Sequence, residues 1–407
     1  MPLIKPFAGL RPVAERAADV VAPPYDVLNS DEARDRAHGK PWSFLHISKA
    51  EIDLPKDINV YDPAVYARSA ENMQRMIASG ILMRDSSPRY YVYRLTMGSH
   101  VQTGLVCAAS VKDYDSNRIR KHEFTRPAKE DDRVRQIEAL NAQTGPVLLA
   151  YKSQPEMDAL LQKVTRDKPL YDLKADDDIG HAFWMIEDKS IIDKISAAFD
   201  AMKAIYIADG HHRSAAASRV AAKKGGGENA MSQYFLAVVF PHNQMKILDY
   251  NRVVTDLNGL TKEAFLEKVK QHFDCVKHSG PVKPSSAGEF GMYLDGAWYK
   301  LNIHAGLIPK DPVKKLDVSL LADNLLQPVL GINDPRTDSR IDFVGGMRGL
   351  KELEKRVNSG EMAVAFSMYA TSMEDLMAVA DSNQVMPPKS TWFEPKLADG
   401  LVSHVLD

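Results

Sequence analysis

The segment from residue 204 to residue 224 constrains the fold more than any other part of the chain. A short apolar run, Ala204 to Ala208, leads through Asp209 and Gly210 into an alanine-rich stretch, His212 to Lys224. The apolar run is typical of a buried β-strand, and the alanine-rich stretch is typical of an α-helix. A glycine between them permits the backbone conformation that a tight turn often needs. The sequence therefore predicts a strand–turn–helix element in a chain of mixed α/β (α+β) class.

Helical and strand patterns alternate along the rest of the chain. Asp62 to Gly80 reads as an amphipathic helix with Asp62 as its N-cap and Pro63 in its first turn. Gly291 to Leu301 reads as a hairpin that turns at Asp295-Gly296. Further helices are predicted at Lys129–Ala142, Ile191–Met202, Thr261–Phe273, Leu316–Leu326, Gly349–Val357 and Met373–Asp381. Further strands are predicted at Ser43–Ile47 around His46, Tyr90–Leu95, Leu105–Val111, Val147–Tyr151, Tyr234–Phe240 and Met362–Met368.

The length of 407 residues suggests more than one domain. We expect a phosphate- or nucleotide-binding domain over residues 1–255 and a smaller C-terminal α+β domain over residues 256–407. The boundary is approximate and falls between residues 250 and 288, where the pattern of the sequence changes. The order of strands within the sheets cannot be predicted from these patterns.

Composition narrows the classes of function. Lysine and arginine number 52 against 54 aspartates and glutamates, and this balance argues against a broad nucleic-acid-binding surface. Cys107 and Cys275 are the only cysteines and form no CxxC pair, which argues against a zinc site or a disulfide framework. The N-terminus lacks the apolar core of a signal peptide, and no apolar run is long enough to span a bilayer. We therefore expect a cytoplasmic protein without a membrane partner.

The turn after residue 208 also carries the clearest chemical signal. A helix N-terminus attracts anions, because its unpaired N–H groups and the helix dipole both favour negative charge. His211, His212 and Arg213 add donor side chains beside Gly210, and Asp209 could act as a base or hold Mg²⁺. The alternative is an aspartate N-cap followed by two surface histidines. Three donor side chains in a row favour a phosphate-binding site.

A dense charged stretch offers a second set of candidates, made up of Lys121, His122, Glu123, Arg126, Lys129, Glu130 and Arg133. A helix would place Arg126, Lys129 and Arg133 on one face, where three cations can neutralise a polyphosphate. Glu123 or Glu130 could accept a proton from an attacking hydroxyl or hold Mg²⁺. A solvated helix face with internal ion pairs explains the same residues equally well.

Two polar clusters near the C-terminus are candidate substrate-binding segments. Asp338, Arg340 and Asp342 alternate after Arg336, and carboxylates beside arginine suit an amino-acid zwitterion. A salt-bridge network between domains explains them equally well. Lys389 lies in a proline-rich stretch, residues 386–396, and could contact a phosphate. The segment Pro23 to Asp26 reads first as a rigid turn and second as the wall of a ligand site.

The segment Asp209 to Arg213 resembles the Gly-x-x-Arg phosphate-binding element of the ParB/sulfiredoxin superfamily. The whole chain resembles the family catalogued as domain of unknown function 1015, through residues 22–27, 43–46, 121–126, 208–213, 334–338 and 387–391. The resemblance implies a ParB/sulfiredoxin-like core around the strand–turn–helix element, with a smaller C-terminal α+β region. Some relatives resemble free-serine kinases, which implies a role in handling nucleotide phosphates.

These observations converge on a phosphotransferase hypothesis. ATP, ADP or pyrophosphate would donate a phosphoryl group to the hydroxyl of a small metabolite, with free L-serine the best guess. Gly210 to Arg213 would hold the phosphates with Lys129 and Arg133, Mg²⁺ would bridge the donor to a carboxylate, and Asp209 or Glu123 would orient or deprotonate the hydroxyl. The alternatives are a nucleotide-binding regulator of the ParB type and a phosphatase using the same site. A homodimer is left open.

Overall fold

The computed structural model describes all 407 residues, which form two compact units. The first unit comprises Met1–Met245 together with Pro395–Asp407, and the second comprises Lys246–Glu394. The sequence places the division between residues 250 and 288, whereas the compact units divide after residue 245. The return of the last segment to the first unit depends on contacts that are remote along the chain, so composition gave no sign of it.

Helices and short strands alternate through the chain. The strands are β1 (Ile4–Lys5), β2 (Leu10–Pro12), β3 (Leu82–Arg84), β4 (Tyr90–Met97), β5 (His100–Ser110), β6 (Ile119–Arg120), β7 (Ala142–Gln143), β8 (Val147–Tyr151), β9 (Tyr171–Lys174), β10 (Gly180–Ile186), β11 (Ile205–Asp209), β12 (Tyr234–Pro241), β13 (Lys246–Leu248), β14 (Tyr250–Val254), β15 (Phe273–His278), β16 (Glu289–Leu294), β17 (Ala297–Ile303), β18 (Ile341–Gly345), β19 (Val364–Ser367), β20 (Trp392–Glu394) and β21 (His404–Val405). The helices are α1 (Ala17–Val20), α2 (Ser30–Ala37), α3 (Leu45–Ser48), α4 (Pro63–Ala78), α5 (Val111–Asp115), α6 (Pro127–Leu140), α7 (Pro155–Val164), α8 (Lys189–Asp200), α9 (His211–Lys224), α10 (Lys262–Val269), α11 (Asp317–Leu321), α12 (Gly349–Asn358) and α13 (Met373–Asp381). None of them combines the length and the apolar character needed to cross a membrane.

A nine-stranded sheet organises the first unit, in the order β6-β11-β8-β12-β5-β4-β10-β9, with β1 added beside β5. The sheet is mixed, because β11 is parallel to β6 but antiparallel to β8, while β12 is parallel to β8. The predicted mixed α/β class is confirmed. Its strand β11 ends at Asp209 beside the short edge strand β6, and this end of the sheet carries the candidate site.

Apolar side chains from helices and strands form the main core of the first unit. Helix α8 presents Ile191, Ile195 and Phe199 to the same cluster that holds Ile205 and Ile207 of β11. Each is four residues from the next, which puts them on one face of α8. This packing fixes the position of β11 and therefore of the turn that follows it.

The second unit is built on a six-stranded antiparallel sheet in the order β15-β17-β16-β19-β14-β18. The predicted hairpin is confirmed, since β16 pairs with β17 and the chain turns at Asp295 and Gly296, which have φ of 46° and 74°. Positive φ at both positions matches the twist of the flanking strands. Val253, Trp298 and Leu353 contribute to the core of this unit.

Two local predictions differ from the structure. Residues around His46 form helix α3 rather than a strand, and the His46 ring contacts Asp53 at 2.8 Å and the Lys40 carbonyl at 3.1 Å. The predicted helix Thr261–Phe273 ends at Val269, because Phe273 begins β15 and pairs with Ile303. In both places, tertiary contacts decide between two structures that a short apolar pattern allows.

Candidate functional site

The candidate site is built on the turn from β11 into α9. Asp209 is the last residue of the strand, Gly210 adopts φ of 100° and ψ of 26°, and α9 begins at His211. Glycine suits this left-handed conformation, and an added Cβ would also lie 3.1 Å from Nε of Arg213. The N-cap residue Gly210 offers no side-chain acceptor to the N–H groups of the first turn of α9. Unpaired N–H groups at a helix start are the arrangement that suits an anion.

Arg213 lies over this turn as a mostly buried cation. Its Nη1 donates a 2.6 Å hydrogen bond to the Pro146 carbonyl, and its Nη2 lies 3.8 Å from carboxylate oxygens of both Asp26 and Asp209. Burial opposes the charge, but Asp26, Tyr25 and Asp209 together raise the pKa of Arg213 above its usual value. The guanidinium therefore stays charged beside the N-terminus of α9.

Asp209 is paired with a lysine from the C-terminal segment, which no local sequence pattern links to it. The ammonium of Lys396 lies 3.1 Å from Oδ2 of Asp209. Burial disfavours the carboxylate, but Lys396 and Arg213 outweigh this effect and hold the pKa of Asp209 well below its usual range. Asp209 is thus ionised and fixed between two cations, and Gly210 rather than Asp209 occupies the N-cap position.

A second aspartate, Asp399, has the opposite electrostatic character. It is 1% exposed, its Oδ2 accepts a 3.3 Å hydrogen bond from the N–H of Tyr25, and its Oδ1 has no hydrogen-bond partner. Burial raises the pKa of Asp399 to about 7, with Arg213 opposing the rise and Asp26 adding to it. Two aspartates near one arginine are therefore held in different protonation regimes.

Helix α6 brings Arg133 to the same side of the first unit. The Arg133 guanidinium stacks over the Tyr25 ring at 4.0 Å and contacts Asp132 at 2.7 Å. Together with Arg213 and Gly145, Tyr25 and Arg133 line a small cavity. Tyr25 thus forms part of a wall, which was the second interpretation of its proline-rich turn.

The other cations of the charged stretch are spread around the turn. The main-chain N–H of Arg126 donates a 3.1 Å hydrogen bond to Nε2 of His212, and both Arg126 and Lys129 lower the pKa of His212 after the larger effect of burial. Lys129 is exposed, 5.9 Å from the Tyr61 ring, and the Lys121 ammonium lies over the Tyr114 ring at 4.0 Å. Roles in phosphate binding stay predictions for these residues.

Part of the charged stretch, residues 121–133, forms ion pairs, as expected if it is a solvated helix face rather than a phosphate-binding surface. Glu130 and Asp131 contact Arg219 of α9 at 3.3 Å and 2.7 Å. These pairs connect α6 to α9 within the first unit. They tie Glu130 to Arg219, which is the structural role that the ion-pair alternative predicts for it.

A histidine cluster lies next to the turn. The rings of His122 and His211 meet edge to face with centroids 4.5 Å apart, and the N–H of His122 donates a 3.4 Å hydrogen bond to Nε2 of His211. Nδ1 of His211 lies 3.7 Å from Oε2 of Glu123. Burial is the main cause that lowers the pKa of His122 to about 4, and it also lowers the pKa of His211 well below its usual value. Both rings are therefore neutral near pH 7.

The candidates from the C-terminal part of the sequence lie in the second unit. Arg336 contacts Asp334 at 2.7 Å, and Arg340 contacts Asp338 at 2.8 Å, so each arginine forms a local ion pair. Lys389 has a left-handed backbone with φ of 58°, and its ammonium lies 5.6 Å from the Tyr250 ring. Their role as substrate-binding residues stays a prediction.

Three contributors to the site were missed as functional residues or left secondary. Lys396 and Asp399 reach the turn from the C-terminal segment, nearly two hundred positions away in sequence, so no local spacing links them to Asp209. Asp26 was noted only within a rigid proline-rich turn. The proline-rich stretch that ends at Lys396 is a signal in the sequence, but within it Lys389 rather than Lys396 is the predicted phosphate contact.

The fold and the site define an α/β protein in which a helix N-terminus without a side-chain cap lies beside a mostly buried arginine. More particularly, the chain belongs to the family described as Protein of unknown function (DUF1015), whose model matches residues 4–319. A search among curated proteins found no match. The family assignment made from the sequence is confirmed.

Several solved structures are similar to the chain at low identity. A free serine kinase in complex with AMP is 14% identical, with 71% of this chain and 86% of that chain covered and a TM-score of 0.35. SbnI with a C-terminal truncation, from Staphylococcus aureus, is 10% identical over 72% and 84% of the two chains, with a TM-score of 0.38. A conserved hypothetical protein from Pyrococcus furiosus is 16% identical over 72% and 94%, with a TM-score of 0.34. These similarities are too distant to carry over an activity or the ParB-like name of the core.

Proposed function

We propose that the protein is a phosphotransferase that moves a phosphoryl group from ATP, ADP or pyrophosphate to the hydroxyl of a small metabolite, with free L-serine the first acceptor to test. The supporting observation is the group of charges at the start of α9. Arg213 and the uncapped helix N-terminus face the same turn as the ionised Asp209 and its partner Lys396. Phosphoryl transfer depends mainly on positioning and on neutralising charge, and these residues supply both.

The donor phosphates are assigned to the turn itself. Main-chain N–H groups after Gly210 would bind phosphate oxygens, and the permanently charged Arg213 would balance their charge. His212 adds a half-buried donor, and its Nδ1 carries the proton of the neutral ring because Nε2 accepts from the N–H of Arg126. Arg133 lines the adjacent cavity and extends the positive charge away from the turn.

Asp209 or Glu123 is proposed to orient or deprotonate the acceptor hydroxyl. The lowered pKa of Asp209 makes it a weak base, but a loose phosphoryl-transfer transition state asks a carboxylate chiefly to orient the hydroxyl. Lys396 holds this carboxylate in place through the 3.1 Å contact. Asp209 is therefore the first residue to test, and Glu123 is the second.

Carboxylate oxygens are the ligand type that Mg²⁺ prefers, which supports Asp209 as a ligand of the proposed metal. When bound with the donor, Mg²⁺ would neutralise part of the phosphate charge. Serine is the preferred acceptor because the segment from Asp209 to Arg213 resembles the phosphate-binding element of a superfamily that includes free-serine kinases. The second-unit residues Arg336, Asp338, Arg340 and Lys389 stay candidates for contacts with the acceptor.

A phosphoryl-transfer screen tests the proposal. ATP, ADP and pyrophosphate are each paired with L-serine and other small hydroxyl compounds in the presence of Mg²⁺. We expect product with the wild type and a loss of about 100-fold or more in kcat with Asp209→Asn, in the range seen when an acid–base residue is removed. Asp172→Asn, a change at an exposed position on β9, is the matched control and should keep full activity.

The other outcomes separate the alternative functions. Nucleotide binding without product from any pair would reject the phosphotransferase and favour a regulator of the ParB type. Release of phosphate without an acceptor would favour a phosphatase. An Asp209→Asn variant as active as the wild type would remove Asp209 from the reaction and direct the same test to Glu123→Gln.

A further inference from the structure

The histidine cluster beside α9 has a composition that Mg²⁺ binding does not explain. Ligand atoms of His122, Glu123 and His211 all lie within 4.8 Å of one another. Two imidazoles and one carboxylate suit zinc and other transition metals, whereas Mg²⁺ prefers an all-oxygen shell. The argument from the cysteine count does not apply here, because this donor set contains no cysteine.

His122 gives an independent sign of a missing ligand. The residue is 2% exposed, and its Nδ1 is a buried atom without any hydrogen-bond partner. Its ring forms a hydrogen bond with the main chain of Ile207, which therefore involves Nε2. A buried nitrogen left unpaired is costly, whereas a ring held by its other nitrogen is the usual arrangement of a metal-bound histidine.

We infer that His122, Glu123 and His211 form a binding site for a divalent transition-metal ion of the zinc type. Ligand atoms in a tetrahedral zinc site lie about 3.4 Å apart, given bond lengths of roughly 2.0 to 2.2 Å. His211 Nδ1 and Glu123 Oε2 are already 3.7 Å apart, and the Glu123 side chain is 55% exposed and long enough to close the remaining distance.

Binding at Nδ1 of His211 changes one existing contact. In this structure, Nε2 of His211 accepts a long 3.4 Å hydrogen bond from the N–H of His122. Metal at Nδ1 places the ring proton on Nε2 and gives up this hydrogen bond. Three protein ligands leave at least one position open, as in catalytic rather than structural zinc sites. His211 is the first residue of α9 and follows Gly210, so an ion held by this cluster would add positive charge near the turn where the anion is proposed to bind.

Metal titration without any phosphate donor tests this site separately from the phosphotransferase assay. Full-length protein is freed of metal with a chelator and titrated with Co²⁺ while its visible absorption is recorded, and Zn²⁺ is then added. We expect one equivalent of Co²⁺ to give ligand-field bands that Zn²⁺ displaces and Mg²⁺ does not. Glu123→Gln should weaken Co²⁺ binding by about 100-fold or more, beyond the effect of losing an outer-shell contact.

Three further variants make the result specific. His122→Ala should weaken binding to the same extent, and Glu123→Gln covers the case in which that buried substitution prevents folding. Glu71→Gln on α4 and His278→Asn in the second unit are matched controls, since neither residue lies in the cluster. Absence of the bands, displacement by Mg²⁺, or unchanged Co²⁺ affinity in Glu123→Gln would each overturn the inference.

Discussion

At the scale of single residues, the site depends on charges that the protein holds in fixed states. Arg213 has a raised pKa, Asp209 has a lowered one, and Asp399 has a raised one, all within the first unit. Burial opposes charge in every case, so the direction of each shift depends on which partners lie close. Asp209 is ionised because Lys396 and Arg213 are both near, whereas burial dominates at Asp399.

The variant Gly210→Ala tests whether this glycine matters for anion binding as well as for folding. The left-handed conformation costs an alanine about 1 to 2 kcal/mol, and the new Cβ would lie 3.1 Å from Nε of Arg213. We expect lower stability in urea unfolding and at least about tenfold weaker binding of Mg²⁺–ATP or pyrophosphate in calorimetry.

Gly80→Ala is the matched control for this change. Gly80 also has positive φ, at 67°, but an added Cβ would meet no atom within 4 Å. It should lose stability and keep anion binding. Equal binding losses in both variants would mean that the turn at Gly210 contributes only to folding.

Asp399→Asn tests the raised pKa of the buried carboxyl. The folded pKa is about 7 and the unfolded one about 3.9, so between them the folded state keeps a proton that the unfolded state releases. Folding stability from this group therefore falls as pH rises through that window. In urea unfolding at several pH values, the unfolding free energy of the variant should rise relative to that of the wild type as pH increases, by up to about 1.4 kcal/mol per pH unit. A stability difference that is constant from about pH 4 to about pH 7 would contradict the assignment.

At the scale of elements, helix α9 joins the site to the core. Ala216 and Val220 are buried in a small cluster with Ile137 of α6 and Leu406 of the C-terminal segment. Small side chains here allow α9 and α6 to approach closely. The position of the turn therefore depends on how tightly the buried face of α9 packs.

Ala216→Leu should disturb this packing. Ala216 is fully buried, so three extra carbon atoms force neighbouring side chains or the helix to move, at a cost of about 1 to 3 kcal/mol. Ala222→Leu places the same side chain on the exposed face of α9 and should change the unfolding free energy by no more than about 0.5 kcal/mol. Similar free energies for the two variants in urea unfolding would show that α9 packs loosely.

Local patterns predicted elements well where the chain carries its own start and stop signals. Helix α4 begins after Asp62, whose carboxylate accepts from the N–H of Ala64, and Pro63 occupies its first turn as predicted. The hairpin turn at Asp295-Gly296 is equally local. The segment around His46 has no such signal, and the sequence prediction of a strand there is wrong.

The candidate site was predictable only in the part that is contiguous. The segment from Asp209 to Arg213 can be recognised from the sequence because a strand pattern, a glycine and a helix pattern follow one another. Lys396 and Asp399 reach Asp209 and Arg213 only through the folding of the whole first unit, and a single sequence contains no record of that proximity. Sheet order was unpredictable for the same reason.

At the scale of the whole molecule, the first unit is assembled from two distant stretches of chain. The segment Pro395–Asp407 pairs through β21 with β7, and its Asp399 and Ser403 form main-chain bridges with Ala22 and Leu10. It also supplies Lys396 to the site. Stability and site geometry therefore depend jointly on this segment.

Deleting residues 395–407 should affect the two units differently. The first unit loses β21, the two main-chain bridges and buried side chains such as Leu406, whereas the second unit is made entirely of residues 246–394. We expect hydrogen exchange to become faster in peptides of the first unit alone, together with loss of Mg²⁺–ATP binding. Removal of Asp407 alone, which contacts Arg84 at 2.8 Å, is the control. Unchanged exchange in the first unit of the truncated protein would contradict this assignment.

The order of the two units along the chain has a consequence for biosynthesis. A ribosome makes proteins from the N-terminus, and domains generally begin to fold as they emerge. Residues 1–245 emerge first, but the partner of Asp209 arrives only after the entire second unit has been translated. The pairing of Asp209 with Lys396 is thus absent on the nascent chain until the second unit has been made, and chains that terminate before Lys396 cannot form it.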